Sequence, residues 1–279
     1  MLLSPAPLPT PAPRCPALAP RLAPAPEVLR ESERCVFAFY CLVRNGAPVW
    51  RLEEVRLLEV RVWDGTRGQL GPLSPGQALV YALVHDRSDY SETLLRRFGR
   101  SALTPEPCGF CTRSVGALHL RLAVRYDRQR ALESILHTLQ VSMSPSEVRS
   151  YLDSRPVCSH LDGGEAAVSV AVAMCRSRCL LMLLSSGATA TGLEAGLQQL
   201  EAGPGPEQEA LRCVYFLLLF GHAPSPSPLD SRLRCILGEP LFHWLSGQAP
   251  PSLLLYALRS IARTAPESIS RLPPGLCPQ

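Results

Sequence analysis

The segment DGGEAAVSVAVAMCRSRCLLMLLSSGA, at residues 162–188, restricts the possible folds of this chain more than any other stretch. It opens with an Asp-Gly-Gly turn signal, and two short apolar runs follow at 166–174 and 177–186, separated by a polar Cys-Arg pair. Isolated helices of about ten residues are marginally stable in water, so each of these helices must bury an apolar face against a neighbour. The segment therefore predicts a helix-turn-helix unit that is stable only as part of a stack.

Related units lie on both sides of this segment. Two apolar runs separated by an Asp-Arg pair occur at 72–100 and again at 117–140, and a weaker unit occurs at 191–220. Corresponding alanines at 82, 123 and 171 are 41 and 48 residues apart. Repeated helical pairs of this kind form solenoids in which each unit packs on its neighbours. The sequence thus predicts an all-α helical solenoid of degenerate repeats with insertions between the units.

The composition supports helix-on-helix packing and argues against several classes of partner. Hydrophobic residues make up 46% of the 279 residues and aromatic residues only 6%, which favours a core of leucine and alanine. The formal net charge of +4 is small and the arginines are scattered, so we expect no nucleic-acid-binding groove.

Neither a membrane span nor a signal peptide is expected. The most hydrophobic stretch is interrupted by Arg176 and Arg178, and prolines break the apolar residues of 1–26. We therefore expect a cytoplasmic protein whose eleven cysteines are reduced.

Local signals predict elements outside the repeats. A first helix is expected to begin near Ser32 and a second to cover Trp50–Val62, and the sequence SPSE at 144–147 is typical of a capping box at a helix start. The predicted organisation is a disordered Pro/Ala-rich tail at 1–31, an N-terminal helical cap at 32–71, degenerate repeats at 72–221, a linker with helices at 222–249 and a C-terminal segment at 250–279.

The sequence gives little support for catalysis. All 28 basic residues are arginine, and the absence of lysine excludes a P-loop, a kinase nucleotide lysine and a Schiff-base enzyme, each of which needs an ε-amine. The adjacent acids Glu53 and Glu54 are interpreted as a solvated helix face, and His85 and His119 as hydrogen-bonding residues of the helices. We therefore predict no enzyme, no catalytic residue and no cofactor.

A zinc site is an alternative interpretation of the cysteine-containing insertions. Cys108 and Cys111 form a C-x-x-C pair, and Cys158 and His160 could complete four ligands from the next insertion. The spacing matches no established zinc module, and a chain with eleven cysteines contains such pairs by chance. Free or redox-sensitive thiols are the preferred interpretation, and no metal ligand is predicted.

The C-terminal segment 250–279 carries the sharpest functional signal. Two prolines stop any incoming helix, Ser252 can cap a new one, and an apolar stripe follows. Such a stripe needs a partner, which is either the protein's own stack or another protein. The stripe comprises Leu253, Leu254, Ala257, Leu258, Ile261 and Ala262.

The repeats resemble ankyrin repeats, whose pattern is D-G-x-T-P-L-H-x-A-A…L-L-x-x-G-A. The central unit departs from this pattern at T-P-L-H, where Ala-Ala-Val-Ser stands. The resemblance implies a stack whose loop side binds a protein partner. Matching residues are Asp162, Gly163, Ala171, Leu183, Leu184, Gly187 and Ala188.

The C-terminal segment resembles a SOCS box, a helical hairpin with the elongin-binding pattern S/T-L-x-x-x-C/S/A-x-x-x-aliphatic. Pro274-Gly275 depart from the usual cullin-5 pattern, so cullin-5 and cullin-2 are both open. The resemblance implies elongin B/C binding by Ser252, Leu253, Ala257 and Ile261, and a cullin contact by Ile269, Leu272 and Pro273.

Longer stretches, such as SPGQALVYALVHD at 74–86 and FHWLSGQAPPSL at 242–253, resemble a family of vertebrate ankyrin-repeat proteins. The resemblance implies a substrate-recognition adaptor of a cullin-RING E3 ubiquitin ligase, with IMP dehydrogenase as an implied substrate. The alternative is an ankyrin-repeat interaction scaffold without a ligase role. In a ligase, a lysine-free chain is expected to resist self-ubiquitination; a GC-rich gene is the other explanation for the missing lysines.

Overall fold

The computed structural model describes residues 25–64, 69–104, 116–155, 165–202, 207–222 and 231–271. Within these ranges nearly all regular structure is helical, which confirms the predicted all-α solenoid. The α-helices are α1 Pro26–Arg44, α2 Val49–Leu58, α3 Pro75–Val84, α4 Ser88–Phe98, α5 Leu118–Arg125, α6 Gln129–Ser142, α7 Pro145–Leu152, α8 Ala167–Ala173, α9 Ser177–Ser185, α10 Leu193–Ala202, α11 Glu207–Phe220, α12 Ser231–Leu237, α13 Glu239–Leu245 and α14 Leu253–Thr264. Two strands, β1 Val62–Asp64 and β2 Gln69–Gly71, and two 3₁₀ turns, Gly99–Leu103 and Pro266–Arg271, complete the description.

Four helical pairs stack in two layers. The first helices of the pairs, α3, α5, α8 and α10, contact one another in chain order, and so do the second helices, α4, α6, α9 and α11. Leucines such as Leu79, Leu120 and Leu180 are completely buried between the layers. Each helix therefore obtains the apolar contacts that its short length requires.

Arginine side chains tie successive pairs together at the turn between the two helices. Arg128 donates from Nε to the Leu83 carbonyl at 3.0 Å and from Nη2 to the Val84 carbonyl at 3.1 Å. Arg87 donates to the Ala47 carbonyl at 2.8 Å in the same way. These donors satisfy carbonyls at the ends of the preceding helix and loop, which would otherwise lack partners. The Asp-Arg pairs that break the apolar runs are therefore inter-repeat links.

The N-terminal cap differs from its prediction at both helices. Helix α1 begins at Pro26 rather than near Ser32, because a proline in the first turn followed by Glu27 is a favourable helix start. Helix α2 ends at Leu58, and the chain then forms the β1–β2 hairpin, in which Trp63 pairs with Leu70. Valine and tryptophan favour strands, so the predicted helix at 50–62 was too long and the hairpin was missed.

A buried ionic network joins the cap to the first repeat. Arg56, which is 2% exposed, donates from Nε and Nη2 to the two oxygens of Glu53 at 2.6 and 2.9 Å. The Tyr90 hydroxyl donates to Glu53 Oε1 at 2.8 Å, and Arg97 donates to Oε2 at 3.3 Å. The interpretation of Glu53 as a solvated residue was wrong, because the first repeat covers this face of α2. The neighbouring Glu54 does point to solvent, where it pairs with Arg51.

Two other local predictions are confirmed. Ser144 caps α7 with its hydroxyl, which accepts a hydrogen bond from the Glu147 amide, and the Glu147 carboxylate accepts one from the Ser144 amide at 2.9 Å. His119 is buried and its Nε2 lies 2.8 Å from the Gly76 carbonyl of the preceding pair. Burial lowers the pKa of His119, which keeps the ring neutral.

Candidate protein-binding surface

Helix α14 begins where the sequence predicts and is followed by the 3₁₀ turn Pro266–Arg271. The Ser252 hydroxyl accepts a hydrogen bond from the Leu255 amide at 3.2 Å, as an N-cap residue does. The capped start fixes which side chains of the first turn face outward, so the cap positions the outer face of α14.

The outer face of α14 is apolar and uncovered in the described part of the chain. Leu253 is 89% exposed and Tyr256 is 68% exposed, while Leu254 is half-exposed. Ala257 and Ser252 are also exposed. A single exposed leucine is ordinary on a protein surface. The exposed apolar side chains of α14 instead lie next to one another and form a contiguous patch, which is typical of an interaction site. Tyr256 lies three residues after Leu253, a helical spacing that puts both on one face, although the predicted stripe omitted Tyr256.

The inner face of the same helix packs on the repeat stack. Leu255, Leu258 and Ala262 are buried in the main core, and α14 contacts α11. The prediction of one continuous apolar stripe was therefore wrong, because the helix has two apolar faces and only one is free. Ile261, the fourth predicted elongin-binding residue, lies between the faces and is half-buried.

A buried arginine fixes α14 against the stack. Arg259 Nη2 donates to the Gly221 carbonyl at 2.9 Å, at the end of α11, and the guanidinium lies 5.2 Å from the Trp244 ring centroid. Burial and the neighbouring Arg263 lower the pKa of Arg259. A cationic hydrogen bond combined with a cation–π contact is directional, so α14 has a defined orientation relative to α11 and α13. The 250–279 segment is thus not an independent unit in its described part.

The predicted cullin contact falls partly in the core. Ile269 is 2% exposed and belongs to the main core, and the Ser185 hydroxyl donates to the Pro266 carbonyl of the same turn at 3.4 Å. Ile269 is therefore inaccessible to another protein in this conformation, which corrects the expectation from the sequence pattern. Leu272 and Pro273 lie outside the described residues.

Aromatic side chains from α1 and α3 meet on the first-helix side of the stack. Phe37, which is 65% exposed, stacks on Tyr40 with ring centroids 6.0 Å apart. Tyr40 also contacts Tyr81 at 6.1 Å and His85 at 5.0 Å. Burial together with Arg44 and Arg128 lowers the pKa of His85, so this ring is neutral near pH 7. The result is a second apolar surface, distant in sequence from α14.

The zinc alternative cannot be placed on the structure, since Cys108, Cys111, Cys158 and His160 lie outside the described residues. Among residues that the structure does describe, no three histidine, cysteine or acidic side chains are grouped to hold a metal.

Two cysteines of the stack, Cys179 and Cys213, are buried thiols with raised pKa values. Burial is the main cause that raises the pKa of the Cys179 and Cys213 thiols to about 12. Because the thiolate is the reactive form, the raised pKa keeps both thiols in their less reactive protonated form at neutral pH.

No helix in the described ranges is both long enough and apolar enough to cross a membrane.

Comparison with known proteins identifies a relative along most of the chain. No family model matches the sequence, and no solved structure matches it. Ankyrin repeat domain-containing protein 9 of Mus musculus is 35% identical over 291 residues, a match that covers 88% of this chain and 88% of the mouse protein. The stacked helical pairs agree with the ankyrin repeats that give that protein its name and with a protein-interaction role of the ankyrin class. On this identity and coverage, the chain belongs to the family of ankyrin repeat domain-containing protein 9.

Proposed function

We propose that this protein is a substrate-recognition adaptor of a cullin-RING E3 ubiquitin ligase. In this proposal the outer face of α14 binds elongin B/C, and the ankyrin stack binds the protein to be modified. The observation that supports it most directly is the exposure of Ser252, Leu253 and Ala257 on one side of a helix whose other side is anchored in the core.

The energetics favour a foreign subunit on this face. Burying a leucine as exposed as Leu253 contributes about 1.5–3 kcal/mol, and Leu254 and Tyr256 add further apolar area. Because α14 is already folded and capped, association orders little additional backbone, which lowers the entropic cost of binding. The contacts of the buried Arg259 hold α14 in this orientation, which supports an outer face that is already exposed before a partner binds.

The experiment is capture of purified elongin B/C by the full chain. We expect the wild type to bind and the double variant Leu253→Gln/Ala257→Gln to lose binding. The control is Leu58→Gln, because Leu58 is 66% exposed on α2, in the N-terminal cap. A wild-type chain that fails to capture elongin B/C, or a double variant that binds as well as the control, contradicts the proposal.

The cullin and the substrate belong to the same proposal. Cullin-5 and cullin-2 are the candidates, and a cytoplasmic location is expected of such an adaptor. The cluster around Phe37 and Tyr40 is the candidate cargo surface, since exposed aromatics are common anchors in protein interfaces. IMP dehydrogenase is the candidate substrate; we expect it to co-purify with the wild type and less with Phe37→Ala, and no co-purification rejects it.

A scaffold without ligase partners is the second candidate function. The burial of Leu258, Ala262 and Ile269 favours it, because a terminal helix that closes the solenoid needs only an inner apolar face. The capture experiment distinguishes the two functions, because a scaffold without ligase partners folds normally but does not capture elongin B/C.

A further inference from the structure

An apolar pocket opens beside the first turn of α14. Its volume is about 250 Å³. It lies where α11, α12, α13 and α14 meet, and most of its wall is leucine. Its walls include Leu211 and Tyr215 of α11, Leu237 of α12, Leu241 of α13, and Leu254 and Leu255 of α14.

The size and chemistry of this pocket select its occupant. It is smaller than the roughly 300–1,000 Å³ of most small-molecule sites, which suits one bulky side chain better than a cofactor. None of the described residues that line it is charged. A charged group would lose its hydration there without gaining a partner, so an occupant must be neutral and apolar.

The pocket is continuous with the outer face of α14. Leu254 belongs to both surfaces, since it is half-exposed beside Leu253 and also lines the pocket. Ser252, which caps the helix, lines the same pocket. Among the described residues no other element separates the two surfaces, so a subunit that covers Leu253 reaches the rim of the pocket directly.

We infer that the subunit that binds the outer face of α14 inserts a bulky aliphatic or aromatic side chain into this pocket. The outer face of α14 then forms one half of the interface, and helices α11 and α13 form the other half. This inference rests on the proposed function, because it requires that a foreign subunit occupies the outer face. Interface residues that fill such pockets commonly dominate the binding energy.

A pocket-filling variant tests the inference. Leu211→Trp places an indole where the partner's side chain is expected, and the matched control Leu58→Trp adds the same group to the exposed surface of α2. We expect elongin B/C to bind Leu211→Trp about ten- to hundredfold more weakly than the wild type, which is the loss of one buried apolar side chain. The control is expected to bind like the wild type.

Hydrogen exchange of the wild-type complex gives a readout that does not depend on the variant folding. The amides of α13, residues 239–245, are expected to exchange more slowly when elongin B/C is bound, because the partner covers the pocket that Leu241 lines. The amides of α3, at the opposite end of the stack, serve as the internal reference.

The outcomes separate the two ideas. If Leu253→Gln/Ala257→Gln abolishes binding while Leu211→Trp binds normally and α13 exchange is unchanged, the pocket is empty in the complex: the inference is overturned and the proposed function stands. If the wild type captures no elongin B/C, both fall. If Leu211→Trp does not fold, protection of α13 alone supports the inference, and unchanged exchange there overturns it.

Discussion

Removing the Glu53 carboxylate is the most direct test of the buried network between the N-terminal cap and the first repeat. Glu53 accepts hydrogen bonds from Arg56, Tyr90 and Arg97. In Glu53→Ala the Arg56 guanidinium stays buried and retains the Leu73 carbonyl, 2.8 Å from Nη1, as its remaining acceptor. The Tyr90 hydroxyl loses its acceptor at the same time. The variant therefore leaves a buried cation without a counter-charge.

The size of the effect follows from that burial. Removing one partner of a buried ion pair costs about 3–5 kcal/mol, and the retained carbonyl bond places the expected loss near 3 kcal/mol, the lower end. For a domain of 150–250 residues this corresponds to a fall in Tm of about 6–12 °C. The substitution Glu54→Ala removes the adjacent carboxylate, whose partner Arg51 is exposed, and we expect it to change stability little.

Urea denaturation and calorimetry of the two variants provide the measurement. We expect a large drop in the free energy of unfolding for Glu53→Ala and almost none for Glu54→Ala. Equal losses in the two variants would show that the network stabilises no more than a surface pair, and would refute the reasoning.

The same network predicts a pH dependence. Burial opposes ionisation of Glu53, but the hydrogen bonds from Arg56 and Tyr90 and the nearby charges outweigh it, so the net pKa is lowered. A lowered folded-state pKa means that the contribution is fully present above the ordinary carboxyl pKa of about 4.3 and is lost as the pH falls through the folded value. The stability difference between wild type and Glu53→Gln is therefore expected to shrink below about pH 4.3; a constant difference down to pH 2 contradicts this.

Four further predictions address other parts of the chain. Arg128→Ala removes charged hydrogen bonds to two carbonyls of the preceding pair and is expected to cost about 1–3 kcal/mol in urea denaturation; an unchanged midpoint contradicts the inter-repeat link. Ser144→Ala removes the α7 cap and is expected to cost about 1 kcal/mol, with Ser150→Ala, an exposed serine later in the same helix, as the control. Arg259→Met breaks the link to α11, and we expect faster amide exchange in α14 but not in α5. Finally, Arg96→Lys places a lysine on an exposed site, and we expect new ubiquitin conjugates and faster turnover in cells. Unchanged turnover rejects the idea that the absence of lysine protects the chain from self-ubiquitination.

Some elements could be predicted because their signals are local. Ser144 and Glu147 lie within one helical turn, and the side chain of each accepts a hydrogen bond from the other's backbone amide, so four residues suffice to place the start of α7. The repeat pattern likewise predicted the stacking order of the pairs. The N-terminal cap failed where local preferences competed, as at Val62 and Trp63, where strand preference overcame helical periodicity.

The sequence by itself determined the repeats, the two-helix units and the capped starts of α7 and α14, because backbone hydrogen bonds and apolar periodicity act over a few residues. Only the tertiary structure decided which side of each helix meets water. Glu53 and Glu54 are adjacent and chemically alike, yet Tyr90 and Arg97, about forty residues away, bury one of them. In α14, Leu253 and Leu258 belong to one apolar pattern, but contact with α11 covers only the second. Exposure depends on distant segments that approach in space, and no short window of sequence contains them.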